Sequence, residues 1–183
     1  YSGRRPKAVL SAAAPAGVRR VGVFGAGASA RIGAVAAGAG LDVIQLHGDQ
    51  DADDVHSVRR CFDGAIWVVA RVSGDTLPAR VAELCEGADA VVLDARVEGA
   101  LGGTGVQLPW ERLRDQVDTV RAGRVARLVL AGGLRPSNVA AAIAALGPDV
   151  VDVSSGVETA PGIKDHELMR AFAAAAGRAA GVT

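Results

Sequence analysis

The chain has 183 residues, 20 Lys+Arg against 20 Asp+Glu, and an apolar fraction of 50%. Zero net charge without a basic block argues against a nucleic-acid binder that works by neutralising phosphates, and so apolar a chain is not expected to be disordered. No run reaches the roughly 18 apolar residues of a membrane span, and Tyr1-Ser2-Gly3-Arg4-Arg5 lacks the apolar segment of a signal peptide, so a cytoplasmic protein without membrane contact is expected.

Taken in chain order, short apolar runs alternate with helical patterns. The runs are Arg20–Phe24, Asp42–His47, Ala65–Arg71, Ala88–Asp94, Arg127–Ala131 and Asp149–Ser154. Each is short, rich in Val, Ile and Leu, and bounded by Gly, Pro or Asp, which reads as a strand buried on both faces. The helical stretches are Ala28–Ala39, Asp51–Cys61, Thr76–Cys85, Trp110–Val120, Ser137–Leu146 and Asp165–Ala180. Ser137 reads as an N-cap after Pro136, and Gly147-Pro148 as a stop. Strict alternation predicts βα units and a parallel sheet.

Strand starts near 21, 43, 65, 89, 127 and 150 give steps of 22, 22, 24, 38 and 23. The long step holds a Gly-rich insertion, Arg96–Pro109, after a strand, where α/β folds carry function. Six strands suit either an open doubly wound sheet or part of a (β/α)8 barrel, and composition does not choose.

Four segments at strand C-terminal ends carry the chemistry: Val43–Gly48, Leu93-Asp94 with Leu101–Gly105, Leu130–Val139, and Val151–Glu158 with Pro161–Asp165. Gly132-Gly133 and Ser154-Ser155-Gly156 close consecutive strands. Glycines let backbone N–H groups approach an anion, and a following helix N-terminus would add its dipole. The pair therefore reads as a phosphate cradle, against the simpler reading of tight βα turns. Asp94 ends an apolar strand, where poor solvation raises a carboxyl pKa as a general acid requires; the alternative is a helix N-cap. His47 reads as a site-lining residue rather than a proton shuttle. Asp152 shares a strand face with Ser154 and either meets a sugar hydroxyl or pairs with Arg71. His47, His56 and His166 lie on separate elements, Cys61 and Cys85 have no metal spacing, and the dinucleotide, P-loop and serine-hydrolase motifs are missing, so no metal or cofactor is expected.

The series Gln45-Leu-His-Gly-Asp49, Gly102-Gly-Thr-Gly105 with Trp110, Leu130–Val139 and Val151–Asp165 resembles the phosphoribosylanthranilate isomerases of tryptophan biosynthesis, from about Val18 to Phe172. The resemblance implies a phosphate-binding (β/α)8 barrel in a single domain, 1–183, and a cofactor-independent Amadori rearrangement of a phosphorylated small molecule, by a monomer or homodimer. It implies Asp94 as general acid. His47, Gly103 and Asp152 would contact substrate, with Gly132, Gly133, Ser154, Ser155 and Gly156 around the phosphate. Ser2-Gly3-Arg4 resembles the family's Ser-Pro-Arg, which implies Arg4 at the anthranilate carboxylate. The family's base is a Cys in a Lys-Ile-Cys-Gly strand end, a motif with no match in this sequence. Aligned on the family, the first strand, first helix and second strand have no counterpart, and an N-terminally incomplete barrel is expected. The alternatives are a phosphate-binding remnant without catalysis, or another barrel enzyme of the tryptophan or histidine pathways. Indole-glycerol-phosphate synthase would want a strand-end Lys, which neither Lys7 nor Lys164 offers.

Overall fold

The computed structural model describes residues 17–25, 27, 29–95, 107–122 and 126–181. Six strands form one sheet: β1 (Val21–Phe24), β2 (Val43–Leu46), β3 (Ala65–Val72), β4 (Ala90–Ala95), β5 (Arg127–Leu130) and β6 (Val150–Val151). All pair in parallel, and their order in the sheet is their order in the chain. Sequential parallel order with right-handed crossovers sends every helix to the same face. That rules out the doubly wound arrangement, in which helices cover both faces.

The packing agrees. Ile44, Leu46, Ile66, Val68, Val91, Leu93, Leu128 and Leu130 form one cluster with the helix residues Ile32, Val55, Leu84, Leu113, Val139 and Phe172. Fully burying such an aliphatic side chain contributes about 1.5–3 kcal/mol. The opposite face holds a smaller cluster of strand residues alone: Val69, Ala90, Val92, Val129 and Ala131, flanked by Trp67 and Val150. A sheet with helices outside and strand side chains meeting inside is a curled half-barrel.

The helices are α1 (Ser29–Ala39), α2 (Ala52–Arg59), α3 (Val81–Gly87), α4 (Trp110–Arg121), α5 (Val139–Leu146) and α6 (His166–Ala179). Asp51 caps α2 in a reciprocal box with Asp54, and Asp165 caps α6 by accepting from the N–H groups of Glu167 and Leu168. Each such cap is worth about 1 kcal/mol.

Three expectations need correction. The helix expected from Thr76 starts at Val81, because Thr76 is bridged to Ser73 and Pro78 disfavours helix in the residue before it. The N-cap of α5 is Asn138, not Ser137, and its side chain makes no cap bond. The strand expected over Asp149–Ser154 contracts to Val150–Val151, since the chain leaves the sheet into a single 3-10 turn, Ser155–Val157, and a hairpin of β7 (Glu158–Ala160) and β8 (Ile163–Lys164).

Candidate active site

The C-terminal ends of β2, β4, β5 and β6 surround one cavity of about 320 Å3. From β2 come Gln45 and His47, from β4 Asp94, and from β6 Asp152. The loops after β5 and β6 supply Gly132, Gly133, Ser154, Ser155 and Gly156. Eight of the ten residues singled out in the sequence thus line the same space. Arg4 and Gly103 lie outside the described residues.

The two Gly-bearing loops are pressed together. Gly132 has φ +80°, and a Cβ there would stand 2.6 Å from the Ala95 nitrogen and 3.0 Å from Asp94 Oδ1. At Gly156 a Cβ would stand 1.8 Å from the Leu134 carbonyl oxygen. Gly156 lies in a 3-10 turn and no α-helix starts there, so the helix dipole expected at this point is not supplied; the turn and the loop glycines offer backbone N–H groups.

Three groups that the sequence left without a role shape the loops at this end of the sheet. Lys164 Nζ donates to the Ser154 carbonyl at 2.9 Å and pairs with Glu158 Oε1 at 2.6 Å. The hairpin folds Lys164 back across ten residues, a contact that no linear spacing announces. Asn138 Oδ1 accepts from Arg135 N–H at 2.8 Å and its Nδ2 donates to the Gly133 carbonyl at 3.0 Å, tying the β5 loop into shape. Gln50 is buried, accepts from Gly48 N–H at 2.7 Å and donates to the Gly25 carbonyl at 2.8 Å, pinning the loops after β1 and β2. A buried Gln beside a glycine was the available signal.

Asp94 lies inside β4, and α4 begins after Pro109, so the N-cap reading of Asp94 falls. Asp94 is 9% exposed. Burial raises its pKa above the usual 3.8, and the nearby Asp152 charge adds to this, while His47 and Arg71 pull the other way. Asp152 is shifted in the same direction by the protein mass around it, opposed by His47 and Lys164. Asp152 reaches solvent, whereas Asp94 is buried. The alternative reading of Asp152, an ion pair with Arg71, is not what the structure shows: the Arg71 guanidinium donates to the His47 carbonyl at 3.0 Å. His47 Nε2 faces Asp94 Oδ2 at 3.8 Å and is buried without a hydrogen-bond partner.

A raised carboxyl has a consequence for stability. Between the unfolded value and the higher folded one, the folded chain binds more protons, so stability falls as pH rises through that window and stays lower above it. Asp94→Asn is therefore expected to raise the thermal midpoint at pH 7, with the gain shrinking as pH falls toward 3.8. Calorimetry across that range checks it; a variant less stable than wild type at pH 7 contradicts the assigned shift.

Among the described residues, no group of His, Cys, Asp and Glu could hold a metal ion, and no helix is long and apolar enough to cross a membrane. Cys61 follows α2 and Cys85 sits in α3; both lie outside the cavity lining.

Residues 5–175 match the family model described as N-(5'phosphoribosyl)anthranilate isomerase. A curated N-(5'-phosphoribosyl)anthranilate isomerase from Haloferax volcanii is 44% identical over 142 residues, 78% of this chain and 61% of that protein. The chain thus spans about three fifths of that relative's length. The crystal structure of phosphoribosyl anthranilate isomerase from Thermotoga maritima superposes with a TM-score of 0.80 at 30% identity, covering 94% of this chain and 79% of that one. A phosphoribosyl anthranilate isomerase in complex with reduced 1-(o-carboxyphenylamino)-1-deoxyribulose 5-phosphate superposes with a TM-score of 0.76 at 29% identity, covering 94% and 78%.

Proposed function

The chain belongs to the N-(5'-phosphoribosyl)anthranilate isomerase family, and from that premise we propose that its cavity serves the Amadori rearrangement of N-(5'-phosphoribosyl)anthranilate to 1-(2-carboxyphenylamino)-1-deoxyribulose 5-phosphate, a cytoplasmic step of tryptophan biosynthesis. The observation that carries this reading is a buried Asp94, its pKa raised by that burial, opening on the same cavity as a paired glycine cradle. The glycine loops lie after β5 and β6 and Asp94 stands on β4, so one ligand in this cavity can meet both.

In this reading the phosphate takes the backbone N–H groups around Gly132, Gly133, Ser154, Ser155 and Gly156, with the Ser154 loop braced by Lys164. Asp94 donates its proton to the ribose ring oxygen, the C1–O bond breaks, and the nitrogen lone pair forms C1=N. A base then removes the C2 proton; that electron pair forms C1=C2 as the C=N pair returns to nitrogen, and the enol becomes the ketone. Asp152 and His47 face the sugar. Arg4 and Gly103 are assigned to substrate on the sequence match alone. The family resemblance gives the base to a cysteine, and neither Cys61 nor Cys85 is proposed for that role.

The six-stranded arc is read as part of an eight-stranded closed barrel. Among the described residues the outer edges of β1 and β6 are both unpaired, which an all-parallel curled sheet resolves by closure.

The test is incubation with N-(5'-phosphoribosyl)anthranilate, with the ketose followed by chromatography, alongside amide-shift mapping with the reduced product analogue. Product formed by wild type and lost in Asp94→Asn supports the reading. An analogue that leaves the Gly132 and Gly156 amides unmoved overturns it.

A further inference from the structure

We infer that Gln45 is a positioning residue that sets the tautomer of His47, holding the ring proton on Nε2 where it faces Asp94 across the cavity. The catalytic consequence rests on the proposed isomerase reading; the tautomer itself does not.

Gln45 is 5% exposed in the middle of β2, a buried amide in an otherwise apolar strand. Strand alternation puts Gln45 and His47 on the same, cavity-facing side. Gln45 Nε2 lies 3.4 Å from His47 Nδ1. An amide NH2 donates and cannot accept, so Nδ1 must present its lone pair. A neutral imidazole has one ring proton, which therefore sits on Nε2. The ring's place is fixed by its own backbone: the His47 N–H donates to the Phe24 carbonyl at 2.7 Å, and its carbonyl accepts from Arg71.

Nε2–H is then a buried donor with no acceptor in the resting site. Asp94 Oδ2, at 3.8 Å, is about 1 Å beyond hydrogen-bond distance. That gap leaves the donor unmet in the resting site. When Asp94 gives its proton to the substrate, negative charge appears on the carboxyl, and a small closing movement lets Nε2–H meet it. An interaction that forms as charge develops lowers the barrier rather than only the ground state. The other tautomer would aim a lone pair at the new carboxylate and oppose the transfer. Gln45 touches no reacting atom in this scheme and acts through His47.

The chain has three histidines, and His56 and His166 are on exposed helix positions, so the half-buried His47 ring is distinguishable in long-range proton–nitrogen spectra. The wild-type protein is expected to show a protonated Nε2 and an unprotonated Nδ1, both free and with inorganic phosphate added. Gln45→Glu, whose carboxylate accepts rather than donates, is expected to draw the proton to Nδ1. Gln45→Leu is expected to give a mixture and to lower kcat about tenfold, with KM within about twofold of wild type. A wild-type ring protonated on Nδ1 overturns the inference, as does an unchanged tautomer in both variants. If Gln45→Leu does not fold, the wild-type and Gln45→Glu spectra decide. A protein that carries the Nε2–H tautomer but never isomerises the phosphoribosyl amine would instead refute the proposed function.

Discussion

Asp94→Asn is expected to lower kcat by about 10²–10⁴-fold, with affinity for a phosphorylated product analogue kept within about twofold. Asn matches Asp in shape and has no proton to give at neutral pH, so the change removes the transfer and leaves the packing. The phosphate cradle lies on the loops after β5 and β6, while Asp94 stands on β4, so the two functions are carried by separate strands. The same variant is expected to gain stability at pH 7, because the cost of a dehydrated carboxylate disappears. Loss of turnover together with a raised thermal midpoint is a combination that misfolding does not produce. Near wild-type turnover in Asp94→Asn rules out Asp94 as the acid.

How much of this was readable in the sequence differs by feature. The strands were legible because a sheet covered on both faces needs unbroken apolar runs, and Val43–Leu46 is buried at every position. Asp94 was legible for the opposite reason: a carboxylate at the end of such a run has nowhere dry to hide except a site. The helix starts were less legible, since Pro78 and the Ser73–Thr76 bridge delay α3 and the Asn138 side chain is spent on the loop behind it. In the sequence Lys164 lies ten residues from Ser154, and only the fold brings the two together. Gln45 carries no chemical signal of its own in the sequence, although an amide two residues before a His on one strand face is a readable pattern. Contacts within a strand follow from alternation; contacts made by a chain doubling back do not.

The cradle invites a second substitution with a large effect. Gly156→Ala is expected to weaken phosphate-ligand binding by at least about tenfold, or ~1.4 kcal/mol, and to cost about 1–3 kcal/mol of folding stability. The added Cβ would meet the Leu134 carbonyl oxygen at 1.8 Å, its carbon at 2.9 Å and the Arg135 Cα at 3.2 Å. All three are backbone atoms, so no side-chain rotation relieves the clash. Either the turn Ser155–Val157 moves outward or the β5 loop retreats. Retreat is obstructed, because Gly132 already sits against Ala95 and Asn138 binds the Gly133 carbonyl. In both cases the N–H groups that converge on the anion spread apart. Gly38→Ala is the matching control: it sits on an exposed turn of α1 with open space around its Cβ, and is expected to add about 0.5–1 kcal/mol of stability without touching binding. Calorimetric titration with the reduced product analogue, run on both variants, separates the two effects. Unchanged affinity in Gly156→Ala means that the two loops do not act together as the phosphate site.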